Sequence, residues 1–68
     1  MSDAREDTIR AASHATSAAA AFPGNPWAAL GYLLDAETKI THALDALSEE
    51  LGELDAGRVD RIYKAHGR

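Results

Sequence analysis

The sequence predicts an all-α fold: an antiparallel helical hairpin with a short C-terminal third helix, dimerising into a four-helix bundle. Three observations carry this expectation. Apolar residues recur at spacings of three and four along most of the chain. One Pro-Gly-Asn-Pro turn divides the chain once. With 68 residues, no cysteine and 15 alanines among its apolar residues, the chain has only a thin set of large side chains and no covalent staple. Below roughly 70–80 residues a single core seldom supplies more than about 3–5 kcal/mol, so association with a second chain is the expected remedy. The whole is read as one small helical domain, residues 1–68.

The first helix is expected over 3–21. Ser2 or Asp3 can cap it, and Asp3 with Glu6 has capping-box spacing. Ile9, Ala12, Ala15, Thr16, Ala19 and Phe22 follow helical spacing and form the expected packing stripe. The stripe is narrow and small, which suits a close helix–helix approach.

Residues 22–26 are the turn. A residue before proline avoids the α region, so Phe22 closes the first helix. Asn25 is a good N-cap, and Pro26 then falls at the first helical position, where its missing N–H costs nothing. Trp27 is expected to plug this end of the bundle against Phe22 and Tyr32.

The long helix, expected over 26–52, carries the strongest signal. Leu30, Leu33, Glu37, Ile40, Leu44, Leu47, Leu51 and Leu54 alternate spacings of three and four without a miss, a heptad seam over more than three repeats. Ala29, Ala36 and Ala43 occupy the neighbouring column and widen that face. The opposite side carries Asp35, Thr38, Lys39, His42, Asp45 and Glu49 and reads as solvated. The first helix is too short to cover the whole seam. Leu47, Leu51 and Leu54 are therefore the residues expected above all at a contact between subunits.

A bend or break is expected between 52 and 57, with Asp55 capping a C-terminal helix over 56–66; the alternative is one straight helix with a stutter. Val59, Ile62, Tyr63 and His66 share one face of that helix, out of phase with the leucine seam.

Charge is uneven. Residues 27–55 carry −6 and residues 56–68 carry +3, within a formal total of −4. The basic end, with Arg58, Arg61, Lys64 and Arg68, raises contact with nucleic acid or an acidic partner. The acidic body would repel a duplex, so this is the weaker reading. Glu37 is the one charge inside the seam. Folding about Gly24 brings position 37 close to Arg10, which predicts a register-fixing ion pair. A carboxylate metal site wants Glu-x-x-His on the inner face; Ile40 stands where that histidine would be. No metal, cofactor or catalytic residue is expected, because His14, His42 and His66 are scattered and no phosphate-binding glycine loop is present.

The uncharged stretch 11–34 is interrupted by Pro23, Gly24, Asn25 and Pro26, and the chain opens on an acidic segment. Neither a membrane span nor a secretory leader is expected, and a cytoplasmic protein is. The alanine richness points to a bacterial or phage origin. The function expected from the sequence is non-enzymatic. It is a small self-associating interaction, regulatory or adaptor module, homodimeric and open to a heterologous protein partner, working through Leu30, Leu33, Ile40, Leu44, Leu47, Leu51 and Leu54. The alternatives are a nucleic-acid-associated regulator using the basic C-terminal helix and a metal-binding bundle.

Overall fold

The computed structural model describes residues 2–68, with side chains from Ala4 onward. Two helices make up nearly all of it: α1, Ser2–Ala21, and α2, Pro26–Ala65. No strand occurs among the described residues. The capping expected from Ser2 or Asp3 falls on side chains outside the described residues.

Local chemistry fixes the boundary between the helices. Asn25 leaves the helical region (φ −140°, ψ 77°), and its side-chain oxygen accepts the Ala28 N–H at 3.2 Å. Pro26 occupies the first helical position, and the Asn25 N–H donates back to the Ala21 carbonyl at 2.7 Å. Asn25→Ala should cost about 1 kcal/mol, the usual loss of an N-cap; chemical denaturation followed by circular dichroism would read it.

The far end of α2 is closed by a Schellman arrangement. Gly67 takes a left-handed φ of 78°. The Arg68 N–H then reaches the Tyr63 carbonyl at 2.9 Å, and the Gly67 N–H reaches Lys64 at 3.0 Å. A side chain at 67 would strain that backbone.

α2 runs to Ala65, and its one interruption, at Asp55, falls within the 52–57 window in which the sequence places a bend or break. The interruption is confined to one residue. Asp55 alone leaves the helical region (φ −160°, ψ 85°), and its carboxylate accepts the Arg58 N–H at 3.0 Å. The kink turns the terminal segment back, so that the Tyr63 hydroxyl and the Ser48 hydroxyl hydrogen-bond across fifteen residues of sequence.

α1 packs against α2 in antiparallel order. Glu6, Asp7 and Arg10, near the start of α1, share a hollow with Lys39, His42, Asp45, Ala46 and Glu49 of α2. The packed seam is made of alanine: Ala4, Ala11 and Ala18 from α1, Ala29 and Ala36 from α2, all buried. Each set repeats every seven residues, and the pairs 18 and 29, 11 and 36, 4 and 43 are equidistant from the turn. Ala43 is half-buried. This corrects both expected stripes. On α1, Ile9, Ala12, Ala15, Thr16 and Ala19 are exposed, as is Phe22 just after it. On α2, the leucine column lies beside the seam rather than in it.

The result is a flat molecule. Its Cα extents are 45 × 27 × 12 Å and its radius of gyration is 14.5 Å, where a compact chain of this length would have about 11 Å. A layer one helix thick has no inside, and among the described residues no large side chain is fully buried.

Candidate protein-interaction face

Helical geometry places the leucines. Successive residues turn by 100°, so positions one and four beyond a seam residue fall to the same side of it. Leu33, Ile40, Leu44, Leu47 and Leu51 therefore flank the alanine seam on one broad face of the layer. In an antiparallel pair the corresponding side of α1 carries Ala12, Ala15, Ala19 and Phe22. The opposite face holds the polar hollow, where the Arg10 guanidinium binds Glu6 at 2.7 Å. One face thus gathers the apolar residues of both helices, with Arg5, Thr8 and Glu37 among them, and the other is charged.

The apolar face is open. Leu30, Leu33, Ile40, Leu44, Leu47 and Leu51 are between 38% and 51% exposed. Leu54, at 80%, and Trp27, at 82%, stand out furthest. Trp27 therefore does not plug the turn end against Phe22 and Tyr32; it projects from α2 on the side away from the alanine seam. Leu34 is also exposed, and Trp27, Leu30 and Leu34 share an edge at spacings of three and four.

The energetics favour covering this face. Five buried methyl groups contribute roughly 4 kcal/mol at about 0.8 kcal/mol each. A single fully buried leucine contributes about 1.5–3 kcal/mol. More burial free energy lies on the open face than in the seam. The accessible surface agrees: 5247 Å², against about 4,100 Å² for a compact chain of this mass.

The terminal segment borders the same face. Leu51, Leu54, Asp55, Arg58, Val59 and Ile62 surround an apolar hollow of about 370 Å³. A second, of about 400 Å³, is lined by Leu44, Ile62, Tyr63, His66 and Arg68. The Ser48–Tyr63 hydrogen bond holds the segment in place. Tyr63→Phe should destabilise the chain by about 0.5–1.5 kcal/mol, the net worth of one hydrogen bond; a lowered melting temperature with unchanged helix content would show it.

The remaining sequence-predicted positions fall apart from one another. Glu37 lies in the leucine column and Arg10 on the polar face, so the expected Arg10–Glu37 pair is absent. Arg10 takes Glu6, one turn earlier on its own helix, because an i, i+4 partner on the same face needs no second element. Arg58, Arg61, Lys64 and Arg68 are exposed, and Lys64 pairs with Asp60 at 3.0 Å. Among the described residues no cluster of three His, Asp or Glu is placed to hold a metal ion, and no helix is long and apolar enough to cross a membrane. What the sequence reading missed is the buried heptad Ala4, Ala11, Ala18. The signal that could have found it is its mirror relation to Ala29, Ala36 and Ala43 about the turn. Comparison with protein-family models, with curated proteins and with solved structures finds no match.

Proposed function

We propose that this chain is a non-enzymatic, self-associating interaction module whose leucine face takes a second copy of the chain, with the segment after Asp55 acting as a third helix in the assembly. The observation that carries the reading is the column of exposed large apolar side chains from Leu30 to Leu54, interrupted only at Glu37, on an open face. The surface in excess of a compact fold, about 1,100 Å², is of the size that stable interfaces cover, about 800 Å² per partner or more. A one-layer molecule gains a core when two apolar faces meet, because side chains from both layers then surround each leucine. An adaptor or regulatory role follows from that dimer presenting its two charged faces outward to a further protein.

The test is thermal unfolding over about a hundredfold range of protein concentration. Folding coupled to association makes the melting temperature rise with concentration. A cooperative transition that stays at one temperature throughout would overturn the reading.

A further inference from the structure

We infer that the second copy docks antiparallel, so that the Trp27–Leu30–Leu34 edge of one chain seats against the Leu51–Leu54–Val59–Ile62 hollow of the other. The inference rests on the self-association proposed above and adds its orientation and its anchor.

Three features of the molecule choose this arrangement. The first is the position of the two most exposed apolar side chains. Trp27 and Leu54 stand at opposite ends of the leucine column, equidistant from its middle at Ile40 and Thr41. Antiparallel docking about that middle brings Trp27 of each chain to the Leu54 end of the other. It also brings Leu30 to Leu51 and Leu33 to the level of Ser48, beside Leu47.

The second feature is shape. α1 flanks the first part of α2 on the seam side, and the terminal segment flanks the last part near Ser48 and Gly52. Trp27 and Leu34 project on that same side, at the end where their own chain supplies no neighbour. In the antiparallel arrangement the partner's terminal segment lies there. The hollow beside Leu54, about 370 Å³ and almost wholly apolar in its lining, is large enough to receive an indole. Docking in parallel would keep each Trp27 at the turn end, away from the hollow.

The third feature is charge. Asp45, Glu49, Glu50, Glu53 and Asp55 fall within eleven residues that contain no lysine or arginine. Residues 11–34 carry no Asp, Glu, Lys or Arg. Parallel docking gathers both acidic stretches at one end of the assembly. Antiparallel docking lays each acidic stretch over the uncharged stretch of the other chain, near the positive N-terminal end of its α2.

The experiment uses the absence of native cysteine and the single tryptophan. Leu30→Cys and Leu51→Cys variants are prepared separately, oxidised alone and as a mixture, and the covalent products are weighed under denaturing, non-reducing conditions. A disulfide forms only where two Cα atoms come within about 7 Å. In the antiparallel dimer, like positions are about 30 Å apart along the helix. The mixture should therefore give the mixed disulfide, while neither variant oxidises to a dimer alone. Trp27 emission should be blue-shifted in the dimer and move to the red on dilution, in step with the fall in mass. A dimer whose single variants cross-link to themselves, one that gives no mixed disulfide, or one whose Trp27 emission ignores dissociation would overturn the orientation and leave self-association standing. A monomer at every concentration would overturn both.

Discussion

Leu47→Glu should convert the assembly to monomers. Leu47 lies within the apolar face, two turns from its middle, and a twofold assembly buries the substituted carboxylate once in each chain. An uncompensated buried charge costs about 3–5 kcal/mol. At 1.4 kcal/mol per decade, the dissociation constant should rise by roughly 10²–10³-fold or more. Placing the same charge at His42, which lines the polar hollow on the other face, should leave the mass of the assembly unchanged. Sedimentation of the two variants at equal concentration separates a specific face from a general effect of added negative charge. Equal dissociation by both would mean that the leucine face is not the contact.

Ala29→Leu should be the most damaging substitution inside the chain. Ala29 is 0% exposed, and its methyl group is what lets α2 lie against α1. Forcing extra methylenes into a packed contact costs about 1–3 kcal/mol. For a domain of this size each kcal/mol lowers the melting temperature by about 4–8 °C, a change that circular dichroism resolves. Ala20→Leu, on the exposed side of α1, should leave the melting temperature within about 0.5 kcal/mol equivalent of the parent. The contrast matters because both substitutions add the same hydrophobic group to the same kind of helix. Only the buried site should respond.

The fold class was legible because the punctuation of this chain is chemical. Asn25-Pro26 is a start signal with a mechanism, and the Asn25 side chain accepts the Ala28 N–H as that mechanism requires. Asp55 likewise carries its own reason for interrupting α2, through the bond from the Arg58 N–H. What the sequence concealed was which of two adjacent columns faces inward. Periodicity weighs hydrophobicity, so Leu30 to Leu54 outweighed Ala29, Ala36 and Ala43. Close packing between two helices weighs size, and the alanines won the seam. The same substitution of criteria misplaced the stripe on α1, where Ala11 and Ala18 are buried while Ala12, Ala15 and Ala19 are not. The Arg10–Glu37 pairing had the right register along the hairpin and the wrong side around it. A one-dimensional register says how far along a helix two residues sit, and nothing about the angle between them. Trp27 shows the remaining limit. Its exposure follows from the chain having nothing of its own on that side of α2, which no pattern local to residues 22–32 records.

A single-layer molecule with an open leucine face should complete its core with a second copy of itself. Sedimentation equilibrium of the unmodified chain at micromolar concentration tests it most directly. The predicted result is a mass of about 14 kDa, twice the 7.2 kDa of one chain. A mass of one chain, accompanied by a cooperative unfolding transition in the same sample, would contradict it.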